Sequence, residues 1–279
     1  MKQLTKLLFL CISISAFSQS PWTQEKGKFY TQLSFTTIPN YDTLFGDPEY
    51  KISGEITDNT FQFYGEFGLS NKTTLILNVP YKIITNKGLV NPCLIAPCPE
   101  YSNEEKAFGN ISIGLKHNFY KKDWLISGQF SVEANTSSYN TTSGIRTGYD
   151  AYTFTPLLIA GKGLGKSYLQ AFVGADIRTN NYSSNFKIGG EYGTKLGEKF
   201  WLIGFLDIVK SFENGDVNLP FANQLTGLYV NDQEYGGFGF KGIYEIKSNF
   251  GINAGLGGAF FGNNVAKQGA FTFGVYRKF

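Results

Sequence analysis

Three stretches of this sequence hold residue types that could do chemistry. Ala160-Gly161-Lys162-Gly163-Leu164-Gly165-Lys166-Ser167 matches a relaxed phosphate-binding loop, whose backbone N–H groups and lysine would cradle an anion at the start of a helix. Tyr168 to Ile177 alternates as a strand instead, so no helix dipole would face the anion and the stretch reads as a Gly-rich turn. His117 is the only histidine and the one candidate general base. It falls in phase with Ile113, Leu115 and Phe119, on an apolar face where nothing would orient its ring. Cys93 and Cys98, in Asn91-Pro92-Cys93-Leu94-Ile95-Ala96-Pro97-Cys98-Pro99, could bridge to each other, stay free or bind a metal. A metal site needs more ligands than one distant histidine adds. No catalytic residue, metal ligand or cofactor site is assigned, and no cofactor is implied.

The elements that would position such groups follow from composition. Aromatics make up 16% of the 279 residues, glycines number 33, and only 17% are charged, against a typical charged share of about 25%. That balance suits strands and turns. A net charge of +3 is too small to argue for a nucleic-acid partner. Beyond the N-terminus no apolar run approaches the ~20 residues of a spanning helix; the longest, Phe200 to Val209, contains Asp207. A membrane crossing would have to be made by strands. Residues 1–18 read as an export signal: Lys2 and Lys6, an apolar core from Leu7 to Phe17, and Ala16-Phe17-Ser18 before Gln19. Cys11 follows Leu10, not the small residue of a lipid-attachment site. The mature chain is expected to be one domain, 19–279, without a lipid. Export to an oxidising compartment makes a Cys93–Cys98 disulfide the simplest reading of that pair.

Short alternating segments recur along the mature chain. Strands are predicted near 28 to 38, 59 to 69, 73 to 85, 107 to 120, 124 to 135, 151 to 161, 168 to 178, 184 to 194, 200 to 212, 235 to 246, 250 to 261 and 269 to 279, twelve in all. In the third, Leu75, Leu77, Val79, Tyr81 and Ile83 share one face against Thr74, Asn78 and Lys82; in the eighth, Phe186, Ile188 and Tyr192 oppose Asn185, Lys187 and Glu191. Links are short at 70 to 72, 120 to 123, 161 to 167, 195 to 199 and 247 to 249. They are long at 39 to 58, 86 to 106, 136 to 150 and 213 to 234, with shorter members of the same end at 179 to 183 and 262 to 268. The sixth and ninth strands turn apolar on both faces, which calls for something packed inside or a partly apolar interior.

A soluble sandwich would alternate in the same way. Three features favour a membrane barrel instead. Short and long links segregate to opposite ends, as periplasmic turns and outer loops do. Phe29, Tyr30, Phe119, Tyr120, Trp124, Phe200, Trp201, Phe250 and Phe279 gather at the short-link end, where an interfacial girdle belongs. The last segment, Phe271-Thr272-Phe273-Gly274-Val275-Tyr276-Arg277-Lys278-Phe279, ends on an aromatic. It resembles the closing strand of bacterial outer-membrane β-barrels, which implies that Phe279 is the signal read by the barrel-assembly machinery. It departs from those strands in carrying Arg277 where they usually place another aromatic.

If the fold is a barrel, parity sends Lys82, Lys116, Arg178, Lys187, Lys241 and Lys278 inward with Glu66, Glu133, Asp176, Glu191, Asp207 and Glu245. Equal numbers of each sign imply a paired network that braces a narrow lumen more than a charge-selective pore. Inward Gly237, Gly239, Gly251, Gly255, Gly257 and Gly274 would leave one wall bare. The links at the long-link end, 179 to 183 and 262 to 268 included, carry thirteen carboxylates against five basic residues, so the mouth should disfavour anions. Leu219, Phe221, Leu225, Leu228 and Tyr229 are apolar for an exposed loop; they would fold over the mouth or capture a hydrophobic solute.

Phe67-Gly68-Leu69-Ser70-Asn71-Lys72-Thr73-Thr74-Leu75 followed by Val79-Pro80-Tyr81 resembles the early hairpin of the outer-membrane family named for the meta-pathway of phenol degradation. That resemblance implies a barrel passing aromatic or other small hydrophobic compounds. The chain is also distantly similar to the fatty-acid and toluene transporters of the outer membrane. Those carry an N-terminal plug, for which the roughly ten residues between Gln19 and the first strand leave no room. The sequence thus predicts an all-β protein, a transmembrane antiparallel up-and-down β-barrel in a Gram-negative outer membrane. It is expected to admit small hydrophobic or aromatic solutes passively, with outer-membrane lipid and the assembly machinery as partners and no enzymatic activity. The alternative is a structural or adhesive barrel without transport.

Overall fold

A strand in a membrane can satisfy its backbone N–H and C=O groups only by pairing, and closing the sheet removes the last free edge. The computed structural model describes residues 19–90 and 100–279, so the predicted export signal and the Cys93–Cys98 pair lie outside the described residues. The strands are β1 (Phe29–Phe45), β2 (Tyr50–Ser70), β3 (Thr73–Val90), β4 (Glu100–Phe108), β5 (Ser112–Lys121), β6 (Leu125–Glu133) and β7 (Thr153–Leu164), then β8 (Ser167–Arg178), β9 (Asn185–Leu196), β10 (Phe200–Ser211), β11 (Glu234–Lys247), β12 (Phe250–Asn263), β13 (Val265–Ala266) and β14 (Ala270–Lys278). All pairings are antiparallel, and chain neighbours are wall neighbours. β1 closes the wall by pairing with β2 on one side and β14 on the other, so that Leu33 faces both Phe63 and Val275. β4 and β5 share the β3 edge, and β13 extends the closing strand along the top of β1. The wall is a closed barrel of twelve strands, as predicted.

Its faces are inverted relative to a soluble core. Ile113, Phe130, Leu158, Leu206, Phe240 and Phe273 remain exposed on the outside, while Glu66, Lys116, Asn118, Ser127 and Gln170 are buried within. Apolar-out and polar-in is the arrangement of a transmembrane barrel.

Four local expectations are corrected. The predicted loops 39 to 58 and 86 to 106 are largely strand: β1 and β2 extend to a link of only residues 46 to 49. Ile38, Tyr41, Leu44, Ile52, Ile56 and Ile84 bury one another there, which sustains pairing well beyond the predicted strand ends. The predicted strand 107 to 120 is broken, because Pro80 offers no N–H to the ladder. Residues 109 to 111 bulge opposite Val79 and Pro80, and Gly109 N donates instead to Pro80 O at 2.9 Å. Tyr30 and Trp201 leave the expected girdle, since parity turns them inward: Tyr30 stacks on Tyr276 at 5.8 Å, and Trp201 lies against Tyr168. Finally, residues 19 to 27 do form a short plug inside the barrel. The phosphate-loop match is, as read from sequence, the β7–β8 hairpin: Leu164 pairs with Ser167 and Gly165 takes φ +72°.

Candidate solute path through the barrel

The short-turn half of the lumen is organised by the N-terminal segment. Gly27 N donates to Gly68 O (2.8 Å) and Gly68 N to Lys28 O (3.0 Å), which turns the chain inward at the rim. Gly27 adopts φ +79°, a conformation that favours glycine. Further in, Gln24 N donates to Thr74 Oγ1 (2.8 Å), Gln24 Nε2 to Glu66 Oε2 (2.6 Å) and Ser127 Oγ to Pro21 O (2.6 Å). Trp22 meets the edge of Tyr168 at 5.7 Å, and Pro21 and Trp22 lie over Gly161. This packing is what the doubly apolar sixth predicted strand called for. A methyl group on Gly68 would stand 1.9 Å from Glu25 O, so close approach of the segment requires glycine there.

Beside the plug lies a cavity of about 280 Å³ walled by Trp22, Tyr30, Tyr64, Tyr168 and Phe205. Beyond it, towards the long loops, a second cavity of about 410 Å³ is walled by Asp58, Lys82, Glu133, Asp176 and Lys187 and roofed by Leu228 and Tyr229. Gln19 reaches the second cavity and Ser20 the first, so the segment stands between them.

The candidate lumen residues sort into pairs and singles. Lys116 Nζ lies 3.0 Å from Glu66 Oε1, which also accepts from Tyr64 Oη at 2.7 Å. Lys82 pairs with Asp58 (2.7 Å), and Asp176 with Lys187 (3.2 Å) and Arg178 (3.6 Å). Glu245 pairs with Lys195 at 2.5 Å, a lysine counted from sequence as part of a turn. Arg178 shares β8 with Asp176, and the other partners sit on neighbouring strands or one strand apart, within reach of diagonal cross-strand contact. Glu133 accepts from Asn110 (3.2 Å), and Glu191 from Tyr168 Oη (2.7 Å). Asp207 and Lys241 find no ion-pair partner among the described residues. The inward glycines are less bare than their sequence implied: Phe205 overlies Gly239 and Tyr276 overlies Gly251.

The loop residues separate. Leu228 is buried in the apolar cluster under the roof, with Tyr229 packed against it. Phe221 is 76% exposed on a 3-10 turn, Phe221–Leu225, and Leu219 lines a separate outer cleft. Tyr229 also meets Tyr149 edge-on at 5.3 Å, and Lys82 lies 5.6 Å from its ring. His117 faces outward, bonded to Thr73 Oγ1 at 2.9 Å and close to Phe119. No group of His, Cys, Asp or Glu among the described residues is arranged to hold a metal. Sequence reasoning missed Trp22, Gln24, Tyr64 and Tyr149. The alternation of β2 could have found Tyr64; residues 19 to 27 have no periodicity to read.

This geometry defines the class: a closed twelve-stranded outer-membrane-type β-barrel with a plugged polar lumen. Solved structures of that class share its fold. The COG4313 outer membrane channel from Pseudomonas putida F1 superposes with a TM-score of 0.68 at 12% identity, over 94% of this chain and 98% of that one. The KdgM porin gives 0.52 at 9% identity, over 89% and 99%. The translocator domain of the autotransporter NalP from Neisseria meningitidis gives 0.50 at 12% identity, over 92% and 90%. No protein-family model and no curated protein sequence matches the chain.

Proposed function

We propose that this protein is a passive outer-membrane channel of a Gram-negative bacterium for small solutes of hydrophobic or aromatic character. The observation that carries this reading is the pair of lumen cavities separated by a segment held mainly through side-chain hydrogen bonds, which can slide aside without breaking the wall. The aromatic walls of the short-turn cavity supply the apolar contact surface. The short turns face the periplasm and the long loops the medium, and the acid-rich loops disfavour anions at the mouth. The COG4313 and KdgM likenesses support a channel at the level of fold.

The test is single-channel recording and liposome swelling with refolded full-length protein and with a variant lacking residues 20 to 26. Channel activity that rises on deletion, with neutral aromatic solutes admitted faster than anionic ones of equal size, is expected. The filled lumen favours the other reading, a structural or adhesive barrel. Electrical silence and no swelling from either form would establish that one instead.

A further inference from the structure

The loops at the long-link end enclose a cleft that the solute path does not use. Tyr139, Arg146 and Asp150 from the β6–β7 link, Tyr182 from the β8–β9 turn and Asn218 from the β10–β11 loop wall a space of about 470 Å³, within the ~300–1,000 Å³ of small-molecule sites. Arg146 is only 5% exposed. Its Nε donates to Asn223 Oδ1 and its guanidinium stacks 4.0 Å from the centroid of the Tyr139 ring. Among the described residues no carboxylate pairs with it, and its two terminal nitrogens have no partner. A guanidinium that is so deeply placed and still lacks a counter-charge has unspent donors.

The rest of the cleft complements those donors. Asp150 accepts from Asn135 through Oδ1 at 2.5 Å, and its Oδ2 is unengaged. The Tyr139 hydroxyl is buried without a hydrogen-bond partner. Tyr182, 4% exposed, supplies a second ring. A cationic ligand would meet Arg146. An anionic one would meet Asp150 and the acidic loops. A sugar hydroxyl donates and accepts at once, and the C–H face of a pyranose packs on an aromatic ring.

We propose that this cleft binds a neutral saccharide, with Arg146 and Asp150 bonding adjacent hydroxyls and the Tyr139 and Tyr182 rings framing its apolar face. The inference does not rest on the channel reading: a barrel that conducts nothing could bind at the same place.

The test uses the refolded full-length barrel in an amine-oxide detergent, which carries no sugar headgroup, and saturation-transfer NMR. Maltotriose, cellotriose and mannotriose are the neutral probes; trigalacturonate and the trimer of glucosamine are the charged ones. At least one neutral trisaccharide should bind saturably. Arg146→Gln should weaken it about tenfold, the loss of one charge-assisted hydrogen bond. Asn218→Trp fills the exposed rim and should abolish binding, and this variant decides the matter if Arg146→Gln disturbs the loops. Binding by none of the neutral probes, tighter binding of a charged one, or neutral binding unaffected by Asn218→Trp would overturn the proposal.

Discussion

Gln24→Ala removes the strongest single tether of the plug. Gln24 Nε2 stands 2.6 Å from Glu66 Oε2, a hydrogen bond to an ionised acceptor. Glu66 keeps Lys116 Nζ at 3.0 Å and Tyr64 Oη at 2.7 Å, so the carboxylate is not left unpaired when the amide goes. The loss is therefore the bond alone, about 1.5–3 kcal/mol for a charge-assisted pair. That energy belongs only to the plugged state, so it shifts the ratio of unplugged to plugged molecules by roughly 10- to 150-fold. The backbone bond from Gln24 N to Thr74 Oγ1, 2.8 Å, survives the substitution and sets the limit on how far the segment leaves. In single-channel recordings the open fraction of Gln24→Ala should rise by that order over the parent, with the conductance of each opening unchanged. Gln24→Glu, which faces Glu66 with a like charge, should raise it further. An open fraction equal to that of the parent in both variants would refute the idea that this contact holds the plug.

Three further outcomes follow from particular contacts. Lys116→Met takes the counter-charge from Glu66, which keeps its bonds from Gln24 and Tyr64, at a site where both ion-pair partners are at most 7% exposed; breaking such a pair typically costs about 3–5 kcal/mol, here expected at the lower end and read as a lower unfolding midpoint, and Glu66→Gln added to it should recover part of the loss. Asp42, on the extended hairpin above the membrane, has its carboxyl held below the usual value by a hydrogen bond from Lys51, 2.7 Å away. A depressed folded value stabilises above the unfolded carboxylate range and is lost as pH falls through the folded value. Lys51→Ala should therefore move the Asp42 titration upward in carboxyl NMR; an unmoved titration would contradict the assignment. Phe279 and Phe29 exchange backbone bonds at the barrel seam, Phe279 N to Phe29 O at 2.9 Å and the return at 3.4 Å. Deleting Phe279 should lower the yield of heat-modifiable, membrane-inserted barrel while leaving the conductance of assembled molecules unchanged, and normal insertion would remove its role as an assembly signal.

Much of the wall could be read from the chain directly, because strand parity is local. Alternation placed Lys116 and Glu66 inside and Phe273 outside, and the β1–β14 seam follows from the phase of the last segment. Proline was under-read. Pro80 sits in an alternating run whose period hides it, yet its missing N–H breaks the ladder and leaves residues 109 to 111 outside it, where Asn110 bonds Glu133 and Tyr149 O.

What the sequence by itself determined is the strand number of the wall and, for most of it, which residues face in, since both depend on residues near one another in the chain. What only the tertiary structure decided is which groups meet inside. Asp58 chooses Lys82, Glu245 chooses Lys195, and Leu228 and Tyr229 turn under the roof, because those contacts depend on register and curvature of the closed wall. The plug belongs to the same class. Residues 19 to 27 bond mainly to side chains, Thr74, Glu66, Ser127 and Asn71, and not along a strand ladder, so no period in the chain announces them.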